Sequence, residues 1–387
     1  MLAVVVLSLA ACRNWEEAYD NSIDGGATGG GTGGATGGGT GGATGGGTGG
    51  ATGGGTGGAT GGGTGGATGG GTGGATGGGT GGATGGGTGD AGICGGAWCL
   101  FSSGSSGNFE ATQGVWASSP NDAWATAWGA QVLHWDGISW TRLSISAFGQ
   151  ETNAVWGTSS SRVFVGGANG TAYLGPPFTV AKELVVPGFA GLVGIHGLAD
   201  GGSVYATGRD REIFRYNGTQ WAQLDAGVPL VAKQGWRAIT VVSETDIWVG
   251  GSGGMVMHSA DGVAWTQVST GTTEDIHRAF ANGPQDVWFV GNSGLVLRWN
   301  GTAFNESYCA SCGDIWGLWG RATDNMWLLG SNNSLVHWDG QAFTRVPGIE
   351  PSADPSYGAG LWGAGDNDLF LVTHFADGGS GALHYRR

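Results

Sequence analysis

The sequence predicts an all-β fold, a seven-bladed β-propeller of four-stranded blades, on three observations. From residue 91 onward the chain of 387 residues repeats with a period near 40, the length of one four-stranded blade. Five repeats place Asp-Gly or Asn-Gly between a strand-like run and a Trp or Phe: HWDGISW from 134, RYNGTQW from 215, HSADGVAW from 258, RWNGTAF from 298 and HWDGQAF from 337. The repeat is also out of phase with the chain ends. The last unit stops at GALHYRR, after its third strand, and GGAWCLFSS (95–103) precedes the first unit as an orphan fourth strand. An N-terminal strand that completes the last blade closes the ring and leaves no open sheet edge.

The elements follow in chain order. Residues 1–12, MLAVVVLSLAAC, form an apolar run ending in Leu9-Ala10-Ala11-Cys12, too short to span a bilayer. The run resembles a bacterial lipoprotein signal peptide with its lipobox. That resemblance implies cleavage before Cys12, a lipid on Cys12 and a mature protein anchored in the cell envelope. An Asp after the Cys favours retention at the inner membrane in such lipoproteins; Arg13 stands here, which implies the outer membrane. Residues 13–24 are a short polar segment.

Residues 25–90 are a Gly-rich linker, with eight identical copies of GGATGGGT over 25–88. No charge, aromatic ring or large apolar side chain occurs in the copies, so they cannot bury enough surface to offset ordering entropy, and the linker is expected to be disordered. As a flexible tether of 64 residues it spans roughly 45 Å root-mean-square.

Residues 91–387 are the propeller. A first anchor is an apolar residue followed by Trp or His: Val115-Trp116, Val155-Trp156, Ile195-His196, Ile276-His277, Ile315-Trp316 and Leu361-Trp362, with Gly235-Trp236 as the weak member. A second anchor is a turn carboxylate and a strand of alternating aromatic, β-branched and small residues, as in DIWVGG from 246 and DVWFVG from 286. The third is the Asp-Gly or Asn-Gly turn, whose glycine supplies the positive φ of a tight hairpin. Each unit then reads as strands A to D. Of the 19 Trp, only Trp15, Trp128 and Trp319 miss these registers, so the tryptophans are expected to pack between blades rather than form a ligand platform.

HSADGVAW resembles the Asp-box, or BNR repeat: Ser, spacer, Asp-Gly, two residues, Trp. The other copies lack the Ser and are degenerate. In that family the motif lies on blade turns away from the active site, so the resemblance implies architecture and not chemistry. The whole layout also resembles lipid-anchored propellers of large-genome soil bacteria.

Formal net charge is −14, with only two Lys. A polyanion binder needs a basic face to release counterions, so nucleic acid is not an expected partner. The arginines lack the setting of a sialidase triad, and no nucleophile elbow, phosphate loop or His-x-x-x-His pair occurs. His134, His258, His337 and His384 share one strand-C position, one per blade, and cannot converge on a single ion. His196 and His277 are expected to pack. No metal, cofactor or catalytic residue is assigned.

Arg237 and Arg278 follow the first anchor in units four and five, where the other units have Gly or Ala. They are the candidate ligand-binding residues, suited to a carboxylate or phosphate near one channel mouth; inter-blade salt bridges are the alternative. Cys94, Cys99, Cys309 and Cys312 are disulfide candidates; local pairing in CGGAWC and CASC is favoured, with a four-thiolate zinc site as the alternative.

The resulting expectation is a monomeric, lipid-anchored, outer-membrane protein. Its propeller is a non-catalytic binding or scaffold module for a protein or glycan. The alternative is a propeller hydrolase or lyase acting on envelope or extracellular polysaccharide.

Overall fold

The computed structural model describes residues 114–127, 131–144, 152–167, 171–176, 183–185, 191–228, 235–331, 334–346, 360–374 and 380–386, with the backbone of short strands between 25 and 102. Residues 1–24, with the expected leader, Cys12 and the polar segment, lie outside them, as does the insert at 351–359.

Seven antiparallel sheets, each in the order A-B-C-D, make the propeller. Blade 1 is Val115–Ser119, Asp122–Ala127, Gln131–Trp135 and Trp140–Ser144. Blade 2 is Thr152–Ser159, Arg162–Gly167, Thr171–Gly175 and Glu183–Val185; blade 3 is Leu192–Gly197, Val204–Gly208, Ile213–Tyr216 and Trp221–Leu224. Blade 4 is Trp236–Ser243, Asp246–Gly251, Val256–Ser259 and Thr266–Val268; blade 5 is Ile276–Gly283, Asp286–Gly291, Leu295–Trp299 and Phe304–Tyr308. Blade 6 is Ile315–Ala322, Asn325–Gly330, Ser334–Trp338 and Phe343–Arg345. Blade 7 takes Gly360–Gly365, Asp368–His374 and Ser380–Arg386 from the C-terminus, and its sheet continues through Trp98–Ser102 to Ile93–Gly95. The orphan N-terminal strand thus completes the last blade, as the sequence predicts.

The C–D turns show why Asp-Gly and Asn-Gly recur. Gly137, Gly218, Gly262, Gly301 and Gly340 have φ of 94, 98, 74, 96 and 90°, where a side chain is strained. The preceding residue caps the turn. Asn217, Asp261, Asn300 and Asp339 each accept two backbone N–H bonds from the residues two and three positions on, at 2.7–3.0 Å.

B strands lie in the middle of each sheet and are covered by blades on both sides. Ile247, Trp248 and Val249 are accordingly all buried, as are Val287, Trp288 and Phe289. A polar clamp closes the B–C pair at the end where strand B starts. Asp246 accepts His258 Nε2–H and Trp248 Nε1–H, both at 2.8 Å, and His258 stacks on Trp248 with ring centroids 3.8 Å apart. Asp122 takes His134 in blade 1, Asn325 takes His337 in blade 6, and in blade 5 Arg298 replaces the imidazole on Asp286. The strand-C histidines of these blades are therefore cross-strand partners of strand B.

Strand A departs from the expected register. Trp116, Trp156, His196 and Trp362 stand opposite the B-strand aromatics Trp124, Phe164, Tyr205 and Phe370. In blades 4, 5 and 6 that place belongs to Thr240, Phe280 and Trp319, not to Trp236, His277 and Trp316. A β-bulge at the start of strand A inserts one residue in blades 2 to 6. Trp319, off register in the sequence, is thus an inner-ring residue. Its ring fills the space beside Gly363 of blade 7, as Trp116 does beside Gly157 and Trp156 beside Gly197.

In the octapeptide segment the backbone forms Thr-Gly-Gly-Ala-Thr strands. Each pairs in parallel and in register with the strand sixteen residues on, Thr32 with Thr48 and Thr40 with Thr56, in two sets of four. With no residue larger than threonine, the octapeptides have no side chain from which to build an apolar core.

Candidate functional site

Antiparallel topology puts the start of strand A and the B–C loops on one face of the propeller, and the A–B and C–D turns on the other. The bulged strand-A position on the first face is Asn153, Val193, Arg237, His277 and Trp316 in blades 2 to 6. The next position is Gly114, Ala154, Gly194, Ala238, Arg278, Gly317 and Gly360. Arg237 and Arg278 are therefore not equivalent residues of adjacent blades, as the repeat suggested. Arg237 is the bulged residue of blade 4, and Arg278 follows the bulge of blade 5.

The second position explains the small residues. A Cβ on Gly194 would stand 2.7 Å from Thr207 Oγ1 and 3.0 Å from Ile239 of the following blade; one on Gly317 would stand 2.6 Å from Leu361 Cβ. Glycine or alanine fits this seam between inner strands, and blade 5 alone carries a long cation there.

Three groups meet at this mouth. Arg237 makes no hydrogen bond or ion pair with any described residue. Arg278 donates from Nη1 to the His277 carbonyl at 2.9 Å; burial and the Arg237 charge lower it to about 10. His277 is buried and stacks on Trp316 of blade 6, with ring centroids 3.7 Å apart and an interplanar angle of 13°. Its Nδ1–H donates to the Ile315 carbonyl at 3.2 Å, the inter-blade bond that Asn153 makes to Leu192 in blade 2. Burial, then Arg237 and Arg278, lower His277 to about 4, so the ring is neutral near pH 7 and adds no third positive charge.

The neighbouring acids are engaged elsewhere. Asp275 Oδ1 accepts Gly253 N–H and Asp314 Oδ1 accepts Ser293 N–H, each at 2.8 Å, which pins the B–C loops of blades 4 and 5. Those amides are thereby used up as anion donors.

Two arginines that the repeat does not single out lie on the same face. Arg209 and Arg211 belong to the B–C loop of blade 3, Arg-Asp-Arg-Glu, where blades 4 and 5 have Ser-Gly-Gly and Asn-Ser-Gly. Arg211 has φ of 74°, unusual for a residue with a side chain, and its guanidinium lies 5.9 Å from the Trp236 ring. Trp236 Nε1–H donates to the Arg211 carbonyl at 2.9 Å, which ties this loop to the residue preceding Arg237. The signal in the sequence is four charged residues in a loop that blade 4 fills, at the same length, with Ser-Gly-Gly-Met.

Two residues beyond Arg278 on the same strand, about 6.6 Å along a β backbone, is Phe280. Phe280 and His196 flank Trp362 from blades 5 and 3, with centroid distances of 6.4 and 6.5 Å. These rings form an aromatic collar across the inner strands. Burial lowers His196 to about 4, and its Nδ1 accepts Val241 N–H at 3.1 Å.

The cysteine loop lies on the same face. Cys309 and Cys312 form a disulfide with Cα atoms 5.4 Å apart, both buried, in the D–A loop leading to Asp314 and Ile315. Cys94 and Cys99 are directly opposed in the antiparallel pair of Ile93–Gly95 and Trp98–Ser102; their side chains lie outside the described residues.

No protein-family model and no curated protein matches the chain. Solved structures do match in fold. YCF48 bound to D1 peptide has a TM-score of 0.57 at 14% identity, covering 76% of this chain and 96% of that one. The WD40 β-propeller domain of Doa1 has 0.57 at 12%, covering 72% and 96%. A catalytically inactive virginiamycin B lyase from Staphylococcus aureus, with quinupristin, has 0.58 at 13%, covering 75% and 99%. At these identities the likeness is one of fold.

Proposed function

We propose that this chain is a lipid-anchored cell-envelope protein whose propeller is a non-catalytic binding or scaffold module. Cys12 carries the lipid, the outer membrane is the site of anchoring, and the octapeptide segment is the tether. The module works as a monomer on a protein or glycan partner. The observation that carries the binding role is Arg237, an arginine without a described partner beside a second, partly buried one. Unmet charge in a fold is costly unless something outside the chain meets it. A protein partner fits the compared structure that was solved with a peptide.

An enzyme would bring shifted acids and bases together. Here the lowered carboxyls Asp122 and Asp286 sit where strand B starts, and His277 sits where strand A starts, at the opposite face. The lyase among the compared structures keeps a polysaccharide hydrolase or lyase as the second reading; turnover of envelope polysaccharide by the purified chain would favour it.

The test is covalent capture of envelope partners on intact cells by the full chain and by Arg237→Glu/Arg278→Glu. Loss of the captured species in the double variant supports the reading, and an unchanged pattern overturns it. Cys12→Ala is expected to move the chain from the membrane fraction to the soluble fraction; membrane retention would contradict the anchor.

A further inference from the structure

Three Asn-Gly pairs lie among the described residues, Asn217-Gly218, Asn300-Gly301 and Asn282-Gly283, and the fold holds them in two different ways. We propose that Asn217 and Asn300, at the C–D turns of blades 3 and 5, are sites of self-modification, each converting to aspartate through a cyclic imide formed with the following glycine. Neither site draws on the arginine mouth.

The chemistry is intramolecular. The glycine nitrogen gives its proton to water and attacks the Asn Cγ, closing a five-membered ring. The Cγ–Nδ2 bond breaks, and the nitrogen takes up a proton and leaves as ammonia. One water then opens the imide at either carbonyl, giving aspartate or its β-linked isomer and restoring the backbone N–H. Side-chain amide and water become carboxylate and ammonium, with no oxidant, reductant or second protein.

Three conditions favour that ring, and both turns meet them. The nucleophile must be unengaged. The Gly218 and Gly301 N–H groups donate to no described residue, and no Cβ crowds the approach. The electrophile must be polarised. Asn217 Oδ1 accepts Thr219 N–H, Gln220 N–H and Thr219 Oγ1–H at 3.0, 3.0 and 2.9 Å. Asn300 Oδ1 accepts Thr302 N–H, Ala303 N–H and Thr302 Oγ1–H at 3.0, 3.0 and 2.8 Å. Three donors thus meet the oxygen on which negative charge gathers as the nitrogen adds to Cγ, an oxyanion hole built by the turn itself. The leaving group must be free. Both asparagines are exposed, and their Nδ2 atoms make no hydrogen bond with a described residue. The hydroxyl donor accompanies the amide: threonine follows Asn-Gly in both turns, whereas Ile138, Val263 and Gln341 follow the Asp-Gly pairs of blades 1, 4 and 6.

Asn282-Gly283 is the contrast. It lies at the end of strand A of blade 5, where Asn282 Nδ2 donates to Asp286 Oδ2 at 2.8 Å and to Met326 Sδ at 3.4 Å. Its Oδ1 accepts from no described residue. The leaving nitrogen is held and the carbonyl is left unpolarised, so the same dipeptide is expected to persist.

The fold already contains the product. Asp261 and Asp339 stand at the same place in blades 4 and 6 and accept the corresponding pair of backbone N–H groups at 2.7–2.9 Å. Those bonds hold both carboxyls below their ordinary 3.8, so an aspartate formed in such a turn is charged near pH 7. Two conversions add two negative charges to the formal −14, both on the face of the C–D turns.

The test follows the three sites by mass spectrometry of peptides from the full chain, incubated folded and in denaturant at mildly alkaline pH and then digested in acid. In the folded chain Asn217 and Asn300 are expected to convert about tenfold faster than Asn282, or more. In denaturant the three rates are expected to converge. Thr219→Val and Thr302→Val each remove one donor from the carbonyl oxygen. Each is expected to slow its own site about threefold or more and to leave the other unchanged. Asn300→Asp is expected to melt at the wild-type temperature, because blades 4 and 6 carry Asp there.

Asn217 and Asn300 converting no faster than Asn282 in the folded chain overturns the proposal. Unchanged rates in both threonine variants overturn the oxyanion role of the turn. A lowered melting temperature of Asn300→Asp overturns the claim that the fold accepts the product.

Discussion

The two faces of the propeller treat their cations differently. Where strand B starts, Arg298 meets Asp286 at 2.6 Å, Arg215 meets Glu244 at 3.1 Å and Arg321 meets Asp366 at 3.2 Å; His134 and His258 each meet an Asp at 2.8 Å. Where strand A starts, Arg237 meets no described carboxylate and lies near a second arginine. The first face reads as architecture, because the clamp recurs from blade to blade with His exchanged for Arg. The second reads as function, because Arg278 stands where the other blades have Gly or Ala and Arg237 is the one arginine among the bulged residues of blades 2 to 6. Function is legible where the blades differ.

The largest effect is expected from breaking the architectural face. Trp248 is buried, stacks on His258 and meets Phe289 and Trp299 of the next blade. Trp248→Ala should cost about 3–5 kcal/mol in chemical denaturation. The clamp itself comes next. Asp286 accepts from Arg298, Thr323, Asn282 and Trp288, so Asp286→Ala should cost about 1–3 kcal/mol. Burial alone would raise Asp286, but its four donors outweigh it and hold the carboxyl below its ordinary 3.8. The folded state therefore binds that proton less readily than the unfolded chain. The stabilisation is full above pH 3.8 and disappears as the pH falls below it; an acid titration of the melting temperature should lose this limb in the variant.

At the inner ring, Gly363 would place a Cβ 2.5 Å from the Trp319 ring. Gly363→Ala should cost about 1–3 kcal/mol, with the near-ultraviolet dichroism of the tryptophans altered. A smaller effect separates the faces by pH. His277 and His196 are lowered from 6.5 to about 4, so between those values the unfolded chain takes up protons that the folded chain refuses. Stability should decline as pH falls through that window, and His277→Gln should flatten the decline. A profile unchanged by the variant would mean that His277 is not the neutral ring described.

The repeat length, the blade number, the turn glycines and the closing strand could be read from the sequence because each depends on local chemistry. Asp-Gly and Asn-Gly report a φ that few other residues adopt, and DIWVGG and DVWFVG report a strand covered on both faces. Strand A could not be placed by pattern alone. In blades 4 to 6 Trp236, His277 and Trp316 lie at or just before the strand-A bulge, three or four residues ahead of the inner-ring position, and imitate its aromatic, so Trp319 looked like an exception. The same offset hid that Arg237 and Arg278 occupy different positions, and only Arg278 stands where the other blades have Gly or Ala. Arg209 and Arg211 were missed because a B–C loop has no periodic template to depart from; the backbone of Arg211 and its contact with Trp236 reveal them. Partners of a guanidinium are set by tertiary neighbours, so no spacing could have told Arg237 from Arg298.

The most direct test of the division between faces is the melting temperature of Arg278→Ala beside that of Asp286→Ala. If the mouth arginine serves a ligand, Arg278→Ala melts at or above the wild-type temperature while Asp286→Ala melts several degrees below it. For a domain of this size about 2–4 °C per kcal/mol is expected. An Arg278→Ala protein that melts as far below wild type as Asp286→Ala would show that the arginine holds the blades together, and would contradict the account.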